Sequence, residues 1–372
     1  MQIAKQKLKP IFAPMKIVHV TEAFEGGVIE FFRSLTNATP DIEYTIIYGR
    51  HQFYEPVKTH FPPSVKFIAW PSIKREIKPA SDFKSLKELL AILNTEKPYD
   101  IIHLHSSKAS IVGRLAAFLM GQRKVIYTPH GAAFLRKDVS ATSRAFYIAV
   151  ERIAALFPSR LVGVSESEAK AYSKIGIKSD FVNNGKLFPE REQQKQPFKQ
   201  VLNIVTTGRI TQQKNGAWFN EIAKAFEGDN RVQFIWIGDG TERHLITSKN
   251  IKITGWISRA EVDTFLLTAN LYLSTALWEG LPYAVLEAMS MKLPMLLSNC
   301  PGNVDVAAHG KNGFLYNEPA KAVEYIKEYL ANPLLLDEHG AESYRMVKTT
   351  FSVDKMQQGY RTLYADIIAK GK

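Results

Sequence analysis

Glu279 and Glu287 form a Glu-x7-Glu pair inside the segment Ala276-Leu277-Trp278-Glu279-Gly280-Leu281-Pro282-Tyr283-Ala284-Val285-Leu286-Glu287-Ala288-Met289. The apolar run before it, Leu271-Tyr272-Leu273-Ser274, reads as a buried parallel strand. Gly-Leu-Pro then turns the chain into a short helix, with Pro282 at a start position that tolerates proline. Glu279 falls just ahead of that helix and Glu287 two turns into it. A helix N-terminus offers free amides and the positive end of a dipole, which suits an anion such as a diphosphate. Carboxylates on either side of that anion can accept hydrogen bonds from hydroxyls. Acceptors for sugar hydroxyls around donors for phosphate describe a nucleotide-sugar pocket. The bare spacing would more often mean two solvated helix carboxylates; the strand, glycine, proline and small-residue helix around it favour the pocket.

A second cluster, Thr207-Gly208-Arg209-Ile210-Thr211-Gln212-Gln213-Lys214-Asn215-Gly216, follows the apolar run Leu202–Thr206. Arg209 can fork onto phosphate oxygens and Lys214 adds a point charge. Two cations at a strand end suit a diphosphate leaving group, on which charge develops as its bond breaks. Asn215 can cap the next helix. In Thr128-Pro129-His130-Gly131 a neutral imidazole could contact a transferred sugar, or be a loop histidine bonded to backbone. His103 and His105 alternate along Ile101-Ile102-His103-Leu104-His105-Ser106. They could be metal ligands, but no third ligand motif accompanies them. His105 is therefore placed on the acceptor side of a cleft and His103 is read as structural. Gly26-Gly27 permits close backbone approach to phosphate or sugar, or makes a plain turn. Gly238-Asp239-Gly240 and Gly255-Trp256-Ile257-Ser258 sit at other strand ends. Cys300, the single cysteine, lies beside Pro301-Gly302 with no histidine near it and reads as a small buried or loop residue rather than a catalytic thiol.

These residues need a scaffold that gathers strand ends. In the first half, strand-like runs at Lys16–Val20, Tyr44–Tyr48, Val65–Ile68, Asp100–Leu104, Lys124–Tyr127 and Arg160–Val164 alternate with helical stretches. The helices are expected at Gly26–Leu35, Phe83–Leu93, Ala109–Met120 and Ala141–Leu156. That βαβ series predicts a parallel sheet covered on both faces. The polar stretch from Pro189 to Pro197 marks a linker. The alternation then restarts, with strands at Leu202–Thr206, Val232–Ile237, Ile251–Ile253, Leu271–Ser274 and Met295–Leu297. Helices follow at Ala217–Phe226, Arg259–Leu267, Pro282–Met291, Ala320–Leu330, Leu334–Val347 and Ser352–Ala369. The fold class is α/β, with two Rossmann-like domains facing across a cleft. Open parallel sheets bind ligands beyond the carboxyl ends of their strands, which is where the motifs fall.

Taken in order, the motifs resemble the retaining, GT-B-fold glycosyltransferases of family 4, from Met15 to about Lys370. The resemblance implies an acceptor domain over residues 15–188, a linker over 189–200, and a nucleotide-sugar domain over 201–351. A last helix, 352–372, would cross back to the first domain, and residues 1–14 would be a basic tail. It implies diphosphate binding by Arg209 and Lys214 and a donor-closing loop at Gly26 and Gly27. Glu279 would hold donor-sugar hydroxyls beside the amides of Gly280 and Leu281, with ribose on Glu287 and the base near the Ile257 backbone. His130 would face the reacting centre. One departure from the family is Lys186-Leu187 after Asn184-Gly185, where a hydrophobic-Asp pair is common; it puts the local hinge contact in question.

The activity implied is retaining transfer of a hexose or N-acetylhexosamine from a nucleoside-diphosphate sugar, UDP favoured over GDP, to a saccharide hydroxyl. No cofactor and no metal are expected: Asp-x-Asp is absent from the chain and two cations already face the diphosphate. At 372 residues two domains are expected. The lone cysteine fits a reducing cytosol. Charge is lopsided: residues 1–189 carry 27 Lys and Arg against 16 Asp and Glu, the remainder 21 against 20. Phe61, Trp70, Ile73, Ile77 and Phe83 lie among Lys74, Arg75, Lys78, Lys84 and Lys87. Basic charge with apolar anchors favours an anionic membrane surface. No motif supports nucleic acid. The acceptor is then expected to be linked to undecaprenyl diphosphate at the inner face of the cell membrane, in assembly of O-antigen, capsule or exopolysaccharide. Two rivals are a GT-B-fold nucleotide-sugar epimerase and a non-catalytic membrane-surface binding protein.

Overall fold

The structure is a computed structural model that describes residues 14–51, 59–74, 78–188 and 200–370. Its first half contains β1 (Lys16–Phe24), α1 (Gly27–Ala38), β2 (Glu43–His51), β3 (Lys66–Ala69), α2 (Pro79–Thr95), β4 (Ile101–His105), α3 (Ser107–Leu119), β5 (Val125–Thr128), α4 (Ala141–Ala154), β6 (Arg160–Gly163), α5 (Glu166–Lys174) and β7 (Ser179–Phe181). The second half contains β8 (Leu202–Thr207), α6 (Gly216–Lys224), β9 (Val232–Ile237), β10 (Ile251–Ile253), α7 (Arg259–Thr268), β11 (Leu271–Ser274), α8 (Tyr283–Ser290), β12 (Met295–Ser298), α9 (Asn303–Val306), β13 (Gly313–Tyr316), α10 (Pro319–Ala331), α11 (Leu334–Thr350) and α12 (Val353–Lys370). The expected tail and most of the expected linker lie outside the described residues.

The first sheet runs β3-β2-β1-β4-β5-β6-β7 and the second β10-β9-β8-β11-β12-β13, with every recorded strand pairing parallel. Two Rossmann-like halves are therefore present. The central strands β4, β5, β11 and β12 are buried at every residue, as parallel strands covered on both faces require. Strand order reverses between β1 and β4 in one sheet and between β8 and β11 in the other. A crevice opens beyond the strand ends at such a point. Gly26-Gly27, Arg209 and Glu279 all sit there. Two elements carry weak sequence signals. Helix α5 has few apolar residues but is capped by the Ser165 side chain, which accepts from the Glu168 amide. Strand β13 begins at a glycine and is held by its pairing with β12.

One apolar cluster passes through both halves, joining Phe31, Phe32 and Val164 to Tyr283, Leu286, Met356 and Tyr360. Helix α12 accounts for much of it. The Tyr364 hydroxyl lies 3.2 Å from Nδ1 of His103, and Arg361 pairs with Asp41, so the last helix does cross back to the first sheet. Lys186 joins this strap: its amide donates to the Phe351 carbonyl (2.7 Å), and its carbonyl accepts from the Val353 amide (3.0 Å). The sequence departure at Lys186 thus leaves the crossing intact.

The expected membrane anchors are mostly core. Phe61, Trp70 and Ile73 are 6%, 0% and 4% exposed, and the Trp70 indole donates to the Ser85 carbonyl. The apolar residues between those lysines fill the first domain instead, because burial of each side chain is worth roughly 1.5–3 kcal/mol. Of the anchors only Phe83 is exposed; Arg75 and Ile77 lie outside the described residues. Exposed apolar side chains gather elsewhere, on the end of α3 and along α4: Phe118, Leu119, Phe146, Ile153 and Leu156. No helix among the described residues is long and apolar enough to cross a membrane.

Candidate active site

The Gly280-Leu281 turn between β11 and α8 is one place where the two halves touch. A Cβ built on Gly280 would meet the Gly131 amide nitrogen at 2.9 Å and the His130 carbonyl carbon at 3.1 Å, so only glycine lets the two loops approach. Side chains of the first half fix the turn. The Ser165 hydroxyl donates to the Gly280 carbonyl (2.8 Å) and the Asn184 amide to the Leu281 carbonyl (2.9 Å). With both carbonyls drawn that way, the Gly280 and Leu281 amides donate to no described residue. They stand beside the N-terminus of α8, where an anion finds its donors.

Both glutamates are buried, at 8% and 6% exposure, and not solvated. Each has a cationic partner. Glu279 accepts from Nζ of Lys214 at 2.7 Å, with the Gln213 amide 3.4 Å from its other oxygen. Burial alone lowers the Lys214 pKa, but Glu279 and Tyr272 facing it raise it above the ordinary lysine value. Glu287 accepts from Arg259 at 2.6 Å and lies 3.6 Å from Lys186. Arg209 reaches across the cleft to Glu25 at 3.2 Å. The lysine loop is docked on the glutamate loop by backbone as well: the Leu277 amide donates to the Gln213 carbonyl, and the Thr275 hydroxyl to the Lys214 carbonyl. Asn215 adopts a left-handed conformation, and its side chain accepts from the Trp218 amide, capping α6. Ile257 is half-buried against the shared core, beside an exposed Trp256. Gly26 has φ 53°, a left-handed turn that favours glycine, and Gly27 opens α1.

On the other wall His130 leaves β5 with φ 58°. The Glu168 carboxylate braces its loop, accepting from the Gly131 amide (2.6 Å) and the Val164 amide (2.9 Å). Burial pushes the Glu168 carboxyl up to about 7, against the pull of those amides. Behind His130 stand three fully buried imidazoles. His130 Nε2 is 2.9 Å from His105 Nδ1, and His105 Nε2 is 2.8 Å from His19 Nδ1. His103 is bound by Thr128 (2.9 Å) and Tyr364 (3.2 Å). Burial drives His19 and His130 down to about 3, and His103 and His105 well below the usual imidazole value. All four are neutral at pH 7. Potential ligand nitrogens of His19, His103 and His105 lie within 4.8 Å of one another, so the third histidine absent from the His103/His105 motif is present in space. Their rings lie at 33–37° with centroids 4.2–5.0 Å apart, closer to a stack than to edges converging on one point.

The structure thus brings Gly26, Gly27, His130, Arg209, Lys214, Glu279, Gly280, Leu281 and Glu287 to the two facing loop sets. His105 is different. It is wholly buried behind His130, with no exposed edge to meet an acceptor, which corrects its expected place on the acceptor side. Sequence reasoning passed over Glu25, His19, Glu168 and Arg259, and noted Lys186 only as a departure from the family pattern. The Ser165-x-x-Glu168 capping pattern could have marked the α5 start; the reach of Glu168 to Gly131 could not have been read. Cys300 is buried and its thiol is pushed up to about 12, which keeps it inert.

Chemically, such a cleft can hold a diphosphate against helix amides and exchangeable cations, with carboxylates for hydroxyls and a neutral imidazole opposite. Comparison with known proteins agrees. Residues 202–332 match the family model described as Glycosyl transferases group 1, and residues 48–184 the one described as Glycosyl transferase 4-like domain. The chain is 31% identical over 289 residues, 70% of its length and 73% of the relative's, to the UDP-Gal:alpha-D-GlcNAc-diphosphoundecaprenol alpha-1,3-galactosyltransferase of Escherichia coli. It is 24% identical, over 78% of its length and 83% of the relative's, to the capsular polysaccharide biosynthesis glycosyltransferase CapM of Staphylococcus aureus. In fold it is similar to Anabaena HepE, solved in complex with UDP and glucose: TM-score 0.76 at 16% identity, covering 95% of this chain and all of the other. The chain belongs to the GT-B glycosyltransferases of family 4, among the enzymes of bacterial surface polysaccharide biosynthesis.

Proposed function

We propose that this enzyme transfers a hexose or N-acetylhexosamine from a UDP-sugar, with retention at the anomeric carbon, to a saccharide hydroxyl carried on undecaprenyl diphosphate. The observation that carries it is the pairing of Lys214 with Glu279 beside the free Gly280 and Leu281 amides, with His130 directly across. The uridine base and lipid-linked acceptor are supported by the Escherichia coli relative, whose name states both.

In this reading the diphosphate draws Arg209 from Glu25 and shares Lys214 with Glu279. The bond from the anomeric carbon to the phosphate oxygen breaks, and its electron pair leaves on the diphosphate, stabilised by those cations and amides. The acceptor oxygen bonds to the same face of that carbon and gives its proton to a donor phosphate oxygen. No protein nucleophile is needed. Glu279 holds sugar hydroxyls, Glu287 the ribose, and the Ile257 backbone the base. Closed loops limit loss of the sugar to water.

The partner surface is anionic lipid. Its support is the α3–α4 region, whose exposed residues include apolar Phe118, Leu119, Ile153 and Leu156 and basic Arg123, Arg144 and Arg152. Rings of Phe118 and Phe157 meet at 5.4 Å and join the two helix ends into one patch. Apolar side chains with arginines fit a headgroup layer.

The test is calorimetric titration of UDP, GDP, ADP and CMP, then transfer from UDP-galactose first, with the product's anomeric configuration read by NMR. Inversion, or binding of GDP alone, removes the corresponding part. Vesicles of anionic lipid should bind the protein at low salt, and Ile153→Glu with Leu156→Glu should release it; unchanged binding would remove the α4 face.

A further inference from the structure

We propose that His105 and His19 are positioning residues that hold His130 as the neutral tautomer protonated on Nδ1, so that it presents a single N–H to the cleft. That the group receiving this N–H is a donor-sugar hydroxyl rests on the glycosyl-transfer reading above.

The three rings form one hydrogen-bonded chain across adjacent strands. His19 is on β1, His105 on β4 and His130 directly after β5. The links are 2.8 Å and 2.9 Å, and successive rings lie at 34° and 26°. Phenyl rings of α1 seal the chain edge-on: Phe32 against His19 and His105, Phe31 against His130. His19 and His105 are 0% exposed, whereas His130 is half-buried.

Proton counting decides the polarity. Three neutral imidazoles carry three N–H groups, and the two links use two of them. The third must sit at one end: Nε2 of His19 or Nδ1 of His130. Nε2 of His19 is buried without any partner. An N–H there would be an orphaned buried donor, which folded proteins avoid more strictly than an under-used acceptor. The third proton therefore belongs on His130 Nδ1. His19 Nδ1–H then donates to His105 Nε2, and His105 Nδ1–H donates to His130 Nε2. A cationic His130 would carry a second N–H on Nε2, aimed at His105. Accepting it would reverse the chain and force the orphan N–H onto His19. The chain thus also keeps His130 uncharged, in line with its low pKa. Titratable groups around the chain are His103 on β4, Tyr44 on β2, Glu168 on α5, and Tyr360 and Tyr364 on α12.

The test is a long-range nitrogen–proton NMR spectrum of full-length protein labelled with 15N-histidine, His130 being assigned with His130→Asn. Wild type should show His130 protonated on Nδ1 alone at neutral pH. His105→Leu should let the Nε2–H form appear. The same variant should lower kcat about 10-fold, as loss of an orienting partner does, with the donor KM little changed. His105→Asn, whose amide overlies Nδ1, should recover most of that loss. If His105→Leu does not fold, the wild-type spectrum still decides, because the chain requires His19 and His105 to be protonated on Nδ1 as well, and either of them protonated on Nε2 would overturn it. A wild-type His130 protonated on Nε2, or His105→Leu with wild-type kcat and the wild-type tautomer, overturns the proposal. The NMR result needs no substrate. The stated tautomer in a protein that transfers no sugar would sink the glycosyl-transfer reading alone, and transfer with the opposite tautomer would sink only this one.

Discussion

The two walls of the cleft are built from different chemistry. Around His130 the first half places neutral, dry imidazoles behind aromatic rings, joined by hydrogen bonds. The second half places ion pairs on buried carboxylates, Lys214 with Glu279 and Arg259 with Glu287. Each serves a different charge. Positive character would develop on a sugar losing its leaving group, and a cation at His130 would oppose it. Negative charge would gather on a departing diphosphate, and Lys214 and Arg209 can turn to it without leaving the site. Ion pairs, exposed or buried, are weak evidence for stability, so the charged wall reads as function rather than as fold.

Lys214→Ala strikes the charged wall hardest. It should lower transfer about 100-fold or more, roughly 3–4 kcal/mol, the scale for losing one group that stabilises developing negative charge. Circular dichroism should show the fold intact; a near-normal rate would mean that the ion pairs are only structural. Gly280→Ala tests the contact between the walls. Its methyl would sit 2.9 Å from the Gly131 nitrogen, and overpacking of that kind costs about 1–3 kcal/mol. Activity should fall with the melting temperature, and an unchanged melt would mean the loops do not meet in solution.

The neutral wall should appear in acid. His19 and His130 have folded-state values near 3, below the unfolded value near 6.5. Their contribution is complete above about pH 6.5 and is lost as pH falls toward 3, at up to about 1.4 kcal/mol per pH unit for each group. Glu168 runs the other way. Its folded value of about 7 lies above the ordinary 4.5, so its contribution declines as pH rises from 4.5 to 7. Urea midpoints across pH 3–8 should rise from acid to near neutrality, and His19→Leu should flatten the climb. The smallest effect belongs to Glu25→Gln. Its pair with Arg209 is half exposed on the arginine side, so stability should change by less than about 1 kcal/mol. Donor KM should fall slightly as Arg209 loses a competing carboxylate; a raised KM would assign Glu25 to the substrate instead.

Much of this was legible in the chain. Strands such as β9 and β11 are apolar at all but one position, as parallel strands covered on both faces tend to be. Helix α12 showed its apolar stripe. The donor-side residues clustered after strands, and strand ends are where an open sheet leaves room. The membrane anchors failed because basic residues around Trp70 say nothing about which way the indole points. Helix α5 and strand β13 were missed because a cap and a neighbouring strand hold them, not their own hydrophobic pattern.

By itself the sequence determined the α/β class, the two sheets, and the residue types at the mouths of their strands, because these follow from local periodicity and turn chemistry. Tertiary structure decided the partners. Glu168 reaching Gly131, Lys186 near Glu287, and His19 completing a chain with His105 and His130 join residues that are 37, 101 and up to 111 positions apart. Nothing in local spacing encodes which side chains face one another across a sheet. That is settled by strand order, and by the burial that leaves each polar group only the neighbour it has.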